Sequence, residues 1–136
     1  MVKSRLTLCV FLILVLLSGC GKDKTAVAIN YGSSQRYSTA DMESAIAVIR
    51  KEFDTWEGCT LYSISYTNDE YSADNVDYCN ELEPEAGFDE CIVFESDFHS
   101  PVDGGGAWNP DEDYTDWKWF LARREGGPWT LLTWGY

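Results

Sequence analysis

Histidine is nearly absent from this chain of 136 residues. His99 stands alone, so a mechanism needing two imidazoles, or a zinc site built on paired histidines, has no source here. Basic residues are missing over a long interval. Between Lys51 and Lys118 there is no Lys or Arg, while 19 Asp and Glu fall between Glu52 and Asp116. Phosphate recognition needs a basic surface, so the expected partners exclude nucleic acid and anionic lipid headgroups. An apolar run of the ~20 residues that a spanning helix requires is also lacking; the longest, Leu6 to Leu17, holds about a dozen.

That short run has a charged lead, Lys3 and Arg5, and is followed by Leu17-Ser18-Gly19-Cys20. Small residues before a cysteine, after an h-region of this length, match a bacterial lipoprotein signal. The alternative is an uncleaved anchor helix in which Cys20 is incidental. The match implies removal of residues 1–19 and a lipid on Cys20, and hence a membrane-anchored protein on the extracytoplasmic face, since more than one acyl chain gives durable attachment. The remaining chain would keep 8 basic and 23 acidic residues, a net charge of −15. Such acidity reads first as solubility and repulsion from the membrane surface.

With Cys9 in the leader and Cys20 lipidated, Cys59, Cys79 and Cys91 remain. An oxidising compartment favours one disulfide among them, and Cys79 with Cys91 is the expected pair, because Cys59 follows Gly58 at the start of an inner strand. Closing that ~12-residue loop is worth up to about 3 kcal/mol. Three reduced thiols are the alternative.

Residues 20–36 are small and polar and read as lipidated Cys20 plus a flexible tether; residues 37–136 read as a single α+β domain. Ser38-Thr39-Ala40-Asp41 reads as a helix cap, and Met42, Ala45, Ile46, Ile49 and Phe53 recur at three- and four-residue steps, which predicts a helix over about 39–56 with Gly58 just beyond it. Cys59–Thr67 alternates, with Tyr62, Ile64 and Tyr66 set against Leu61, Ser63 and Ser65, and predicts a strand. A short helix over Ala73–Leu82, with Val76, Cys79 and Leu82 inward, precedes a second strand over Cys91–Phe98. The densest signal is the end, Tyr114–Tyr136, which holds four of the six tryptophans. It reads as a hairpin at the centre of the sheet. Trp117, Trp119 and Leu121 oppose Phe120 and Ala122, the turn is Arg123–Gly127, and Trp129 and Leu131 oppose Leu132, Trp134 and Tyr136.

Gly58-Cys59-Thr60-Leu61 with Tyr66, Ser96-Asp97-Phe98, Asn109-Pro110, Tyr114 to Trp119 and the ending Gly127, Trp129, Trp134-Gly135-Tyr136 resemble a group of small exported or lipid-anchored bacterial proteins. The helix-then-strands order is similar to the NTF2-like cone. The resemblance covers about residues 38–136 and implies an N-terminal helix packed on a curved antiparallel meander; it brings no catalytic residue with it.

Three stretches bear on chemistry. His99 has Asp97 two residues away, and serines 96 and 100 beside it, so an imidazole oriented by Asp97 is the one catalytic arrangement available. Asn109, Asp111, Asp113 and Thr115 carry the two-residue stagger of a calcium loop, but Tyr114 stands where the sharp turn needs Gly and Phe120 where a closing Glu belongs. We therefore expect no metal and no cofactor, with calcium as the alternative. The loop from His99 to Asp113, with three consecutive glycines, is long for a compact domain, and Asp103, Gly105, Trp108, Asn109, Asp111 and Asp113 are its candidate ligand residues. The aromatic set reads as core packing first and a cavity wall second. The functional expectation is a binding or interaction domain without catalysis, for a protein, peptide or cell-wall ligand. The rival is an NTF2-like enzyme with a small-molecule cavity using Asp97 and His99.

Overall fold

The computed structural model describes residues 26–136; the expected leader, the expected lipidation of Cys20 and the start of the expected tether lie outside the described residues. The order is β1 (Ala28–Asn30), α1 (Thr39–Phe53), β2 (Thr60–Tyr66), α2 (Asp69–Asp74), α3 (Val76–Leu82), β3 (Glu90–His99), β4 (Asp113–Arg123) and β5 (Thr130–Gly135). The fold is α+β, and its five strands lie side by side in sequence order.

α1 forms where its periodicity places it. Ser38 caps it through a reciprocal capping box with Asp41, and Met42, Ala45, Ile46, Ile49 and Phe53 are all buried against one face of the sheet. It ends at Phe53, short of the expected 56. Gly58 (φ +77°) serves instead in the turn that follows, where a Cβ would stand 2.9 Å from the Pro101 ring.

The sheet departs from the expected antiparallel meander in two ways. First, Ala28–Asn30 pairs in parallel with Ser63–Ser65 of β2, so the sheet is mixed. The described part of the supposed tether, 26–36, therefore belongs to the domain, and Asp69 of α2 fastens it by accepting from Ser34 Oγ (2.6 Å) and the Gln35 amide (2.8 Å). Second, the C-terminal hairpin is not central. β3 holds the middle of the sheet and β5 lies at its edge.

Register shifts explain the errors in face assignment. One at Leu61/Ser63 puts Leu61 with Ile64 and Tyr66 in the core and leaves Tyr62 exposed. Another sets Trp119 opposite Trp134 and Leu121 opposite Leu131, so Leu132 is the extra residue and Trp134 joins the α1 face. The separation of Trp117, Trp119 and Leu121 from Phe120 and Ala122 along β4 stands.

The two faces are thus packed differently. On the inner face, α1 covers Ile64, Ile92, Phe94, Phe98, Trp119 and Leu121. On the outer face α2 and α3 cover a smaller cluster, Cys79, Cys91, Val93 and Ala122. These are two helices where one was expected. Asn68 caps the first by accepting from the Tyr71 amide (2.7 Å), and Leu82, expected inward, is exposed. Arg123 closes the inner rim. It donates to Glu90 (2.7 Å) and Asp41 (3.0 Å) and lies over the Trp129 ring at 4.2 Å, tying the hairpin to the start of α1.

Candidate binding site

The loop after β3 is folded onto itself. Ser100, 1% exposed, donates through Oγ to the Asn109 carbonyl (2.6 Å) and accepts from the Glu112 amide (2.8 Å). Pro101 O accepts from both Gly104 N (2.9 Å) and Asp111 N (2.8 Å). Trp108 turns inward, 4.8 Å from Trp56, 5.1 Å from Phe98 and 5.3 Å from Trp117, ring centre to ring centre. Of the candidate ligand residues, Trp108 is a plug in the inner aromatic cluster, whereas Asp103, Gly105, Asn109, Asp111 and Asp113 stay on the surface. They do not converge on one cavity.

Asp111 and Asp113 do converge, on His99. The ring's Nδ1 lies 2.6 Å from Asp113 Oδ1 and its Nε2 2.7 Å from Asp111 Oδ1. Carboxylates only accept, so this clip suits the doubly protonated imidazolium, and hydrogen bonds first to Asp113 and then to Asp111 raise the His99 pKa above its ordinary value. The topology brings them together: His99 ends β3 directly opposite Asp113, the first residue of β4.

Asp97 is not the partner of His99. It accepts from the Asp116 amide (3.1 Å) across the ladder. Ser96 Oγ accepts from the indole N–H of Trp119 (2.8 Å), so both serines flanking this region serve the fold. The sequence-based arrangement of Asp97 orienting His99 is replaced by the two loop carboxylates. Among the described residues no group of three or more His, Cys, Asp or Glu is arranged to hold a metal ion.

Cys79 of α3 and Cys91 of β3 meet in the outer core, sulfur to sulfur at 3.2 Å, as thiols rather than a bonded pair. The contact with Cys79, and then burial, pushes the Cys91 thiol far above its ordinary range. Cys59 is half-buried and distinct from them.

A cavity opens elsewhere, on the part of the outer face that α2 and α3 leave uncovered. It encloses about 420 Å³. Its floor is the outward stripe of β4, Asp116, Lys118 and Phe120, and its walls are Tyr71 and Asn75, then Tyr78 of α3, with Tyr136 across from them. Tyr78 meets Phe120 edge to face at 5.4 Å and Tyr136 meets Trp117 at 5.0 Å. Lys118, the lone basic residue between Lys51 and Arg123, donates to Glu95 (3.1 Å) and to the Asp116 carbonyl (3.3 Å). Asp116 is the residue that bends the floor. It sits at the register shift between Ser96 and Phe98 with φ +56°, a left-handed backbone held by a residue other than glycine.

This groove was not singled out from sequence. The signal lay in the residues that alternate with Trp117 and Trp119, which read as the strand's plain outer side until α2 and α3 are placed beside them. No protein-family model, curated protein or solved structure matches the chain.

Proposed function

We propose that this chain is a lipid-anchored, extracytoplasmic binding domain that performs no chemistry, and that its ligand site is the outer groove. One observation carries the reading: His99, Asp97, Cys79 and Cys91 are engaged or buried within the fold, whereas the hydroxyls of Tyr71, Tyr78 and Tyr136 and the carboxylate of Asp116 in the groove have no partner among the described residues. His99 is clipped between two carboxylates, Asp97 holds a backbone amide and the facing thiols are buried. The groove gathers three exposed tyrosines, at 38, 39 and 82% for Tyr71, Tyr78 and Tyr136, whereas the other two exposed aromatic rings among the described residues, Tyr62 and Trp134, lie apart from it. Anchorage rests on the Leu17-Ser18-Gly19-Cys20 pattern, and the NTF2-like assignment on α1 packed across a bulged sheet; β1 is an addition to that order.

Two experiments on the full chain in a bacterial host test this. Labelled palmitate is expected on the wild type and not on Cys20→Ser. A photoreactive benzoylphenylalanine at position 78 is expected to give a discrete adduct that the same probe at position 103, on the loop, does not. Adducts of equal yield and identity from both positions contradict the groove as the site.

A further inference from the structure

We infer that the groove takes an uncharged saccharide. The inference rests on the binding-domain reading above and names the chemical class of its ligand. It begins from unused hydrogen-bonding capacity. The hydroxyls of Tyr71, Tyr78 and Tyr136 and the side-chain carboxylate of Asp116 have no hydrogen-bond partner among the described residues. Asn75 spends its amide N–H on the Tyr71 carbonyl (2.7 Å) and leaves its oxygen free, and Lys118 keeps one of its three donors. Donors and acceptors are thus both present in a space lined by tyrosine rings, with the ring of Phe120 in its floor.

Charge narrows the ligand. An anion would approach a strongly acidic protein whose one local cation is already paired with Glu95, and would meet the Asp116 carboxylate. A metal cation would find Asp116 alone, since Glu95 is spent on Lys118 and among the described residues no group of three or more His, Cys, Asp or Glu is arranged to hold an ion. A purely apolar molecule would bury Asp116 and Lys118 without replacing their water, at a cost its contact area does not offset. A peptide adding as a strand needs a free sheet edge, whereas the rings of Tyr71, Tyr78 and Phe120 stand over the face of β4, which over Lys118–Ala122 is paired with both β3 and β5. A sugar ring meets every condition. It is neutral, its hydroxyls both donate and accept, and its C–H face stacks on aromatic rings.

The backbone of Asp116 is the second, independent sign. Asp116, with φ +56°, stands at a β-bulge in the part of β4 that has β3 alone beside it, and such bulges re-aim a side chain. Here the aimed group is the free carboxylate of the groove, an acceptor suited to a pair of vicinal hydroxyls.

The test is calorimetric titration of the full chain in detergent micelles with cellotetraose, maltotetraose and tri-N-acetylchitotriose. At least one is expected to saturate with a Kd of about millimolar or tighter, unchanged in high salt because no charge is neutralised. Tyr78→Ala and Asp116→Asn are each expected to weaken that binding about tenfold, and Tyr78→Phe, which keeps the ring, by less. Circular dichroism of each variant checks that it is folded. Failure of all three sugars to saturate, or wild-type affinity in folded Asp116→Asn and Tyr78→Ala, overturns the inference. If position 78 still crosslinks a protein or peptide, the saccharide class is wrong while the binding domain stands; if neither sugar nor crosslink is seen, both fall.

Discussion

The two faces of β4 contrast sharply although they are built from alternating residues of one strand. Inward, Trp119 and Leu121 are fully buried beneath α1, and Trp56 stacks on Trp119 with ring centres 5.0 Å apart. Outward, Phe120 is half-covered, while Asp116 and Lys118 face an open groove. The difference arises from the covering elements rather than from the strand. A 15-residue helix spans the inner face, whereas α2 and α3, of 6 and 7 residues, reach only the Cys79–Cys91 end of the outer one. A sheet buried on one side and part-covered on the other has a stable core and, beside it, a recess that packing does not need to fill.

Substitutions should separate the faces by energy. Trp119→Ala removes a fully buried indole bonded to Ser96 and should cost about 3–5 kcal/mol in denaturant unfolding. A cost near that for Tyr78→Ala would break the comparison, since the exposed groove ring should cost no more than about 1 kcal/mol.

A disulfide between Cys79 and Cys91 acts on the outer core. The sulfurs of Cys79 and Cys91 need to close from 3.2 Å to the ~2.05 Å of a bond, and a disulfide there should stabilise by up to about 3 kcal/mol. Alkylation mass shifts with and without reductant, beside unfolding midpoints, check this. Arg123→Met removes the paired guanidinium at the inner rim, where its side chain is 11% exposed, and should cost about 2 kcal/mol by unpairing Glu90 and Asp41.

The smallest effect belongs to the loop. Because the folded His99 pKa is raised above 6.5, its clip stabilises fully below that pH and loses its contribution as pH rises through the folded value. The stability difference between wild type and His99→Gln should therefore be largest in mild acid and shrink toward alkaline pH. A difference that grows with pH would refute the imidazolium assignment.

Elements with a strong local period were legible in the sequence. The Ser38 capping box and the Met42-to-Phe53 spacing specify α1, and the apolar run from Cys91 specifies β3, which is buried on both faces and therefore central. β1 was not legible, because three residues carry no period and their pairing with β2 is parallel and distant in the chain. Bulges were equally silent. An extra residue at Tyr62 or Leu132 reverses which side chains share a face, and alternation alone does not register it. The His99 clip needs residues 12 and 14 positions apart, brought together only by the β3–β4 ladder. The groove needs α2, α3, β4 and Tyr136 at once, so no single stretch announces it.

The most direct measurement pairs stability with capture in one variant. Tyr78→Ala should unfold within about 1 kcal/mol of wild type while weakening protection of the groove from a photoreactive probe at position 71 by its bound ligand. An unfolding free energy within that range, with about tenfold more ligand needed for the same protection, is the predicted result. Ligand protection unchanged by Tyr78→Ala in a folded protein would contradict the account, and the outer groove would be no more than uncovered sheet.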